Sequence, residues 1–538
     1  MARKSEAAVA LAPSTMKELK DTLWKAADKL RGSLDASQYK DVILGLVFLK
    51  YVSDAFDERR SAIAAELRAD GIEEAQFEQF LEDADEYRGA GVFWVPETSR
   101  WEYLARHAKG RQGSASEAPA TIGELVDGAL EHLMGSNPAL ANTLPLIYNR
   151  DNLDQRRLGE LIDLFNAARF TGVGASKARD VLGEVYEYFL GKFAAAEGKR
   201  GGEFYTPPSV VRVLVEVLEP YSGRVYDPCC GSGGMFVQAE KFIAQHGADP
   251  QALSVFGQEL NERTWRMARM NLAVHGMTAN LGPRWEDTFS RDVHPDVKVD
   301  FAMANPPFNI KDWARNESDA RWTFGVPPAG NANYGWIQHI LSKLTPGGSA
   351  GIVMANGSMS SNSGGEGEIR ANLVEADLVS CMVALPTQLF RSTGIPVCVW
   401  FFAKDKTAGE RGSIDRTGQV LFIDARNLGH MVDRAERAFS DEDIAQISGA
   451  VHAWRGTESA AGAVYEDVPG FSKSATLPEI KEAGYALTPG RYVGSAPEED
   501  DGEPIEEKIA RLQAELFAAF DESARLEAVV REQLGRVQ

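Results

Sequence analysis

Short apolar runs that alternate with amphipathic stretches constrain the fold of this chain most strongly, and they begin after Gly201. Six runs have the character of strands, at residues 225–227, 254–259, 299–304, 350–355, 378–384 and 397–402. Four stretches have helical periodicity, at residues 210–218, 236–246, 263–275 and 336–344. Strand–helix alternation predicts a parallel sheet with helices on both faces. A short loop separates the last two strands, which predicts an antiparallel hairpin at the sheet edge.

Helical spacing dominates the chain before that point. Leu19, Leu23 and Leu30 recur at helical steps, and so do Val42 and Leu46. We therefore expect a helical domain at residues 16–190, after a loose tail at 1–15, and an α/β domain at 191–495. Residues 405–495 are weakly patterned and give no clear strand.

Composition narrows the class of protein. The chain has 538 residues, 44% of them hydrophobic and 25% charged, which is typical of folded domains rather than of disordered chains. Four cysteines are too few for a disulfide scaffold and favour a reducing, cytoplasmic setting. The formal net charge of −21 argues against a protein that coats nucleic acid by itself, although a local DNA cleft or a basic partner stays possible.

A glycine-rich turn follows the first predicted strand. Residues 227–234 read Asp-Pro-Cys-Cys-Gly-Ser-Gly-Gly and join a strand to a helix. Glycines let the backbone turn tightly and approach a ligand, and the helix that follows offers free N–H groups. Asp227 ends this strand and Glu259 ends the next one, where a carboxylate can accept both hydroxyl groups of a ribose. A solvated strand end is the plainer interpretation of Glu259.

A second motif, Asn305-Pro306-Pro307-Phe308, follows the strand at 299–304. Two prolines cannot continue a central strand, because they donate no hydrogen bonds to the ladder. They fix an extended path that can present the Asn305 side-chain oxygen and the Pro306 carbonyl side by side. These two acceptors suit an exocyclic amino group, and Phe308 offers a ring face for stacking. The alternative is a rigid turn with a core phenylalanine.

Both motifs resemble those of amino-methylating DNA methyltransferases that use S-adenosylmethionine. Residues 202–208, Gly-Glu-Phe-Tyr-Thr-Pro-Pro, resemble the additional cofactor motif of the N6-adenine class. Segments at 48–54, 183–188, 331–336, 365–370 and 390–396 look like the modification subunit of Type I restriction–modification systems. The resemblance extends from about Leu19 to about Val493. It implies an α/β fold in which a helical domain precedes a Rossmann-like methyltransferase domain and a C-terminal helical tail.

The resemblance further implies methyl transfer to N6 of adenine in duplex DNA, without a metal ion. Asn305 and the Pro306 carbonyl would accept the two N6–H bonds, and Phe308 would stack on the flipped base. The cofactor-binding residues implied by the motifs are Glu203, Phe204, Tyr205, Thr206, Pro207, Pro208, Asp227, Ser232, Gly233, Gly234, Glu259 and Asp287. Asp287 is assigned either to the adenine amino group of the cofactor or, equally, to a loop cap.

Partners are implied in the same way. The family places two modification subunits beside a specificity subunit that reads duplex DNA, together with a restriction and translocase subunit, and with no membrane. Lys199, Arg200 and Arg391 are candidates for phosphate contacts, with solvated surface as the alternative for each. Residues 496–538 combine an acidic linker with apolar residues at helical steps, so this helix either packs on its own domain or docks on the specificity subunit.

Three other functions fit parts of the pattern. The Asn-Pro-Pro-aromatic motif also serves enzymes that methylate glutamine side chains or RNA bases, although those need no such helical domain. A fused restriction–modification enzyme would need further nuclease or sequence-reading domains. A catalytically silent scaffold of a defence complex is the non-enzymatic alternative, and intact Asn305 and Glu259 argue against it.

Overall fold

A computed structural model describes residues 17, 20–21, 23–25, 36–113, 118–167, 178–197, 206–247, 249, 252–390, 395–434, 436–495 and 505–535. The α-helices are α1 (Ala36–Ala69), α2 (Phe77–Leu81), α3 (Ala84–Arg88), α4 (Trp101–Arg106), α5 (Ile122–Ser136), α6 (Gln155–Ala167), α7 (Ala178–Glu197), α8 (Pro208–Leu218), α9 (Gly234–Gln245), α10 (Glu262–Val274), α11 (Asn333–Lys343), α12 (Glu366–Glu375), α13 (Asp441–Arg455), α14 (Leu477–Glu482) and α15 (Ile505–Gly535). The strands are β1 (Gly223–Asp227), β2 (Leu253–Gly257), β3 (Ala279–Asn280), β4 (Val299–Ala304), β5 (Leu344–Ala355), β6 (Val379–Ala384), β7 (Val397–Ala403), β8 (Gln419–Asp424), β9 (His430–Met431), β10 (Arg437–Ala438) and β11 (Ser472–Thr476).

The centre of the molecule is a mixed sheet with the strand order β11-β8-β6-β7-β5-β4-β1-β2-β3. β1 pairs in parallel with β2 on one side and with β4 on the other. The chain therefore moves outward from β1 through β2 to β3 and then returns to the opposite side of β1. This reversal of direction opens a crevice at the carboxyl ends of β1 and β4, where ligands of open α/β sheets bind.

Helices cover both faces of the sheet, as the alternation of elements predicts. One hydrophobic core joins the sheet to α8, α9 and α13, and the other joins it to α11 and α12. Successive side chains of a strand point to opposite faces of the sheet. In β7, Val399 therefore belongs to the first core and Trp400 to the second. Strands buried on both faces have continuous apolar sequences, which is why β4, β6 and β7 were recognisable without alternation.

The expected hairpin of β6 and β7 is antiparallel, but its predicted position at the sheet edge is wrong. β7 also pairs with β5, and β6 also pairs with β8, which in turn pairs with β11. Every residue of β6 and β7 is buried, as suits interior strands. The sequence analysis misplaced the hairpin because it found neither β8 nor β11 in residues 405–495.

The N-terminal part of the chain is mostly helical over its described residues, with loops and an isolated β-bridge between Arg111 and Ala120, and it packs against α10. Its core includes Met267 and Met270 of that helix. Arg269 of the same helix donates to the carbonyl oxygens of Ala139 at 2.5 Å and Ala141 at 3.4 Å. Since α10 starts close to Glu259, the helical domain is anchored beside the predicted cofactor site.

By compactness the chain divides into two units, residues 1–493 and 494–538. The second unit contains the 31-residue helix α15, in agreement with the predicted C-terminal helix. The large apolar side chains of this helix are about half exposed, among them Leu512 at 49%, Leu516 at 51% and Phe520 at 58%. Within the part of the chain that the structure describes, no helix combines the length and apolar character needed to cross a membrane.

Candidate active site

A cavity of about 850 Å³ lies at the carboxyl ends of β1, β2 and β4. Asp227 is the last residue of β1, Glu259 comes two residues after β2, and Asn305 follows β4 directly. All three line the cavity, so the fold brings the glycine-rich turn and the asparagine motif together at the reversal of strand order.

The sequence-predicted site residues fall into three groups. Those that line the cavity are Thr206, Pro208, Asp227, Ser232, Gly234, Glu259, Asp287, Asn305 and Pro307. Those that are described but do not contribute to its surface are Pro207, Gly233, Pro306 and Phe308. Glu203, Phe204 and Tyr205, together with the proposed phosphate contacts Lys199, Arg200 and Arg391, lie outside the described residues.

The glycine-rich turn needs glycine for conformation at two positions. Gly231 has a φ of +53° and Gly233 a φ of +77°, which are left-handed conformations that side chains disfavour. Gly233 also lies close to α10, because a Cβ atom there would come within 3.3 Å of Leu272. Its role is therefore to start α9 and pack against α10, while Ser232 and Gly234 face the cavity.

Glu259 organises the turn as well as lining the cavity. One carboxylate oxygen, Oε2, accepts the Gly231 N–H at 3.0 Å, and the other, Oε1, accepts the Asn261 N–H at 2.9 Å. Asn261 in turn caps α10, since its side chain accepts the N–H groups of Arg263 and Thr264. The carboxylate thus links the glycine-rich turn to the start of α10 and is not a solvated strand end.

Asp227 is an acidic group held in an apolar setting. Only 2% of the residue is exposed, and its Oδ1 accepts the Cys229 N–H at 2.9 Å. Burial, together with the nearby Glu259 carboxylate, raises the pKa of Asp227 to about 7 against the opposing effect of the hydrogen bonds from Cys229. The carboxyl group therefore titrates near physiological pH in the ligand-free protein.

Asn305 presents an unsatisfied acceptor. Its Nδ2 donates to the Thr206 hydroxyl at 2.9 Å, whereas its buried Oδ1 has no hydrogen-bond partner among the described residues. An unpaired buried acceptor costs about 1–3 kcal/mol, so it indicates a position that a ligand satisfies. The contact with Thr206 engages the Nδ2 end of the amide, and Oδ1 is the end left for that ligand.

The aromatic surface of the cavity differs from the sequence-based expectation. Phe308 is half-buried and packs against the core that joins the sheet to α8. The aromatic residues that line the cavity are Trp285, Phe289, Trp313 and Trp336. Stacking by Phe308 stays a prediction, but these four rings are the aromatic faces that the described lining of the cavity presents.

Asp287 adopts the loop-cap geometry that was one of its two predicted roles. Its Oδ1 accepts the Phe289 N–H at 2.8 Å, and its carbonyl accepts the Arg291 N–H at 2.8 Å. Asp287 also lines the cavity, so a contact with a cofactor amino group stays a prediction.

Gln258 is a structural residue of the site that the sequence analysis did not identify. Its side chain is fully buried and donates to the carbonyl oxygens of Glu286 at 3.1 Å and Arg291 at 2.8 Å. Its Oε1 accepts the Val293 N–H at 3.1 Å. Gln258 therefore ties the loop that carries Asp287 to the end of β2; its polar character directly after an apolar strand was the available signal.

The helical domain supplies part of the cavity wall. Lys40 of α1, and Glu187 and Leu190 of α7, line the cavity together with Met267 of α10. The Glu187 carboxylate also forms a salt bridge with Lys241 of α9, with 2.7 Å between Oε2 and Nζ. The site is consequently built from both parts of the first compact unit, not from the α/β domain alone.

Two family models match the chain. Residues 177–501 match the family described as N-6 DNA Methylase, and residues 19–165 match the HsdM N-terminal domain. The first match covers more than half of the chain. The chain belongs to the N-6 DNA methylase family. The resemblance inferred from the motifs is confirmed by these matches.

Curated relatives of this N-6 DNA methylase are methylase subunits of Type I restriction enzymes. The HindI subunit of Haemophilus influenzae is 46% identical over 455 residues, which is 82% of this chain and 99% of that protein. The MjaIX subunit of Methanocaldococcus jannaschii is 39% identical over 529 residues, which is 96% of this chain and 90% of that protein. These relatives identify a DNA methyltransferase of restriction–modification systems.

A solved structure has the same architecture. The methyltransferase subunit of a Type I restriction–modification system from Streptococcus thermophilus superimposes with a TM-score of 0.71 at 26% identity. The match covers 89% of this chain and 100% of that one. The fold of this N-6 DNA methylase, with its helical region and central sheet, is therefore that of a Type I modification subunit.

Proposed function

We propose that this chain transfers the methyl group of S-adenosylmethionine to N6 of adenine in duplex DNA, as the modification subunit of a Type I complex. The observation that carries the proposal is the buried Oδ1 of Asn305, which has no hydrogen-bond partner in the described part of the chain. This acceptor lies at the end of β4, in the same cavity as the glycine-rich turn and Glu259. An exocyclic amino group is the donor that such an acceptor suits.

The residues of the cavity fit the proposed cofactor. The Glu259 carboxylate is placed to accept ribose hydroxyl groups, and the negative charge of Asp227 complements a sulfonium. Asn271 donates from Nδ2 to the Ser232 carbonyl at 2.8 Å and leaves its Oδ1 buried without a partner among the described residues. That acceptor suits a donor such as the ammonium group of the cofactor. We propose that Glu203, Phe204 and Tyr205 close over the cofactor from the segment before Thr206.

The chain's own residues act by positioning. When bound, S-adenosylmethionine supplies a methyl group on a sulfonium, which is already a good leaving group. Asn305 Oδ1 accepts one N6–H of the flipped adenine and the Pro306 carbonyl accepts the other, which directs the nitrogen lone pair away from both. Thr206 holds the Asn305 amide in the orientation that this contact needs. Preorganised polar contacts of this kind supply much of an enzyme's rate enhancement.

Sequence choice is assigned to a separate specificity subunit that two copies of this chain flank, in a cytoplasmic complex that also binds a restriction and translocase subunit. The printed names of the relatives support a role within a Type I restriction enzyme. The half-exposed apolar residues of α15 support a helix that docks on the specificity subunit. The acidic chain then needs only local contacts with DNA, because the partner supplies the rest.

The proposal is tested with the complex purified from cells that express the whole operon. Labelled cofactor is incubated with unmethylated genomic DNA, and the nucleosides are separated by liquid chromatography and identified by mass spectrometry. We expect label in N6-methyladenine, and Asn305→Ala to reduce the rate about 100- to 1,000-fold, since one preorganised contact typically supplies roughly 3–4 kcal/mol. Calorimetry should show cofactor binding retained.

Asn316→Ala is the matched control, because Asn316 is exposed and lies in the loop after the motif. It should leave the rate unchanged. Unchanged methylation by Asn305→Ala would contradict the assignment. Label that enters protein or RNA instead of DNA would favour the alternative methyltransferase classes.

A further inference from the structure

The aromatic wall of the cavity, defined as Phe289, Trp313 and Trp336, is a closely packed cluster. The ring of Phe289 lies 4.6 Å from that of Trp313 and 4.3 Å from that of Trp336, measured between centroids. Trp322 packs behind them, 5.7 Å from Trp313. All three rings of the wall line the cavity that contains Asn305, so a planar group placed there meets aromatic side chains.

A buried polar network holds this wall in place. Arg321 donates to the carbonyl oxygens of Thr288 and Phe289, each at 2.9 Å, and to Nδ1 of His339 at 2.9 Å. Burial, assisted by the charge of Arg321, lowers the pKa of His339 to about 3, so the ring is neutral and can accept this bond. Its Nε2 then donates to the Tyr226 hydroxyl at 2.9 Å. The wall is thus fixed to β1 and α11 before any ligand binds.

The tryptophans of this region differ in whether their indole N–H group has a hydrogen-bond acceptor in the described part of the chain. Trp322 donates to the Asn316 carbonyl at 2.7 Å, and Trp313 donates to the Pro328 carbonyl at 3.3 Å. Trp336 is only 5% exposed, yet its Nε1 has no hydrogen-bond partner within the described part of the chain. A buried N–H group without a partner is rare and costly, which points to a ligand atom that accepts from it.

This orphan donor has a complementary orphan acceptor in the same cavity. Asn305 Oδ1 is buried and has no hydrogen-bond partner among the residues that the structure describes, and both residues line the cavity wall. The group whose donor and acceptor complement these two atoms is an amino group adjacent to an unprotonated ring nitrogen. Adenine has that arrangement twice, because its N6 amino group stands between N1 and N7, whereas guanine carries a carbonyl oxygen in place of the amino group.

We propose that the indole N–H of Trp336 donates to a ring nitrogen of the flipped target adenine, while Asn305 accepts from its N6 amino group. Trp336 then contributes a hydrogen bond to recognition of the base and also forms part of the wall of the pocket. The inference rests on the proposed function, because it assigns a second contact to the same substrate. It identifies a specificity-determining residue outside the two sequence motifs that carry the cofactor and the asparagine.

The test uses the complex with its specificity subunit and duplexes that contain its recognition site. The target position carries adenine, 7-deazaadenine or 1-deazaadenine, which replace N7 or N1 by a carbon. Trp336→Phe keeps a ring and removes the N–H. Trp322→Phe is the matched control, since it removes an N–H that is bonded to the protein. The measured quantity is kcat/KM for methyl transfer on each duplex.

We expect the wild-type complex to lose about tenfold on one of the two deaza duplexes, as one neutral hydrogen bond typically supplies. Trp336→Phe should have a kcat/KM about tenfold below that of the wild type on the adenine duplex. Its kcat/KM on that deaza duplex should be no lower than on the adenine duplex. Trp322→Phe should keep the wild-type ratio between duplexes. Each variant is compared with the wild type by its ratio of kcat/KM between duplexes. This comparison cancels any effect of weaker base pairing on base flipping, because all variants act on the same DNA.

The inference is overturned if the wild type treats both deaza duplexes like adenine, a result that does not depend on whether any variant folds. It is also overturned if Trp336→Phe keeps the wild-type ratio while calorimetry shows normal cofactor binding. Absence of methyl transfer to adenine by the wild type would instead refute the proposed function, so the two failures are distinguishable.

Discussion

The Asn305 amide donates from Nδ2 to the Thr206 hydroxyl, and its Oδ1 has no hydrogen-bond partner among the described residues. The motif predicted that Asn305 faces a substrate, but it could not reveal the contact with Thr206, because the two residues lie 99 positions apart. Sequence resemblance assigned Thr206 to the cofactor. The structure adds a hydrogen bond between Thr206 and the side chain of Asn305.

Thr206→Val tests this contact. Valine preserves the shape of threonine but cannot accept the Nδ2–H bond, so the amide loses its fixed orientation. We expect kcat to fall about tenfold, the scale of one hydrogen bond. Thr206→Ser keeps the hydroxyl group and should restore most of the rate. A large loss in both variants, together with weaker cofactor binding by calorimetry, would show that Thr206 acts only through the cofactor.

The buried carboxyl of Asp227 predicts a pH dependence of cofactor binding. Its pKa of about 7 in the ligand-free protein lies above the ordinary 3.8, because burial disfavours the charged form. A cationic cofactor favours the carboxylate, so binding should release a proton below pH 7 and tighten as the pH rises through about 7. Calorimetry of wild type and Asp227→Asn measures this, and the variant should show a flatter profile.

The raised pKa of Asp227 also affects the stability of the folded protein. Stability falls as the pH rises, whereas cofactor binding tightens. Because the folded pKa is raised, the carboxyl is best accommodated at low pH, and stability from this group is lost as the pH rises from about 3.8 towards about 7. Ligand-free Asp227→Asn should therefore lose less thermal stability across that interval than the wild type. An identical slope in the two proteins would contradict the assigned pKa.

At the scale of elements, apolar runs predicted the interior strands well and their order poorly. β4, β6 and β7 are buried along their length, and composition alone identifies such strands. β11 is rich in serine and threonine and did not stand out, whereas the four consecutive apolar residues of β8, between Gln419 and Asp424, were a signal that was missed. Pairing order depends on contacts distant in sequence, which local patterns do not encode.

The helix α15 carries a prediction of its own. Leu516→Asp and Phe520→Asp place charge on its half-exposed apolar residues, which opposes burial against a partner. We expect co-purification of the specificity subunit to fall, while cofactor binding and helix content by circular dichroism stay unchanged. Glu515→Ala is the control, since this residue already pairs with solvent-exposed Arg511 on the same helix. Full stoichiometry of the double variant with its partner would refute the docking role.

At the scale of the whole molecule, the net charge of −21 opposes unaided binding to DNA. The isolated chain should not retain a short duplex at physiological salt in a filter or gel assay, whereas the complex with the specificity subunit should. Binding by the complex should weaken as salt rises, because counterions compete for the phosphates. Tight binding by the isolated chain would mean that its own basic residues suffice.

The sequence did not predict that residues of both the helical domain and the α/β domain line the cavity. The motifs placed Asp227, Glu259 and Asn305 at strand ends, and the fold brings them together as expected. Glu187 and Trp336 lie in the family-like segments 183–188 and 331–336, but the sequence did not show that these segments line the cavity, and the buried Gln258 belongs to no motif. Their positions follow from packing between distant parts of the chain.

The most direct test of the account is modified-base sequencing of genomic DNA from cells that carry the intact operon, beside cells that carry Asn305→Ala. The account predicts N6-methyladenine at a split, two-part sequence in the first genome and its loss in the second. The same N6-methyladenine pattern in both genomes would contradict the assignment of Asn305, and absence of the modified base from both would contradict adenine in DNA as the substrate.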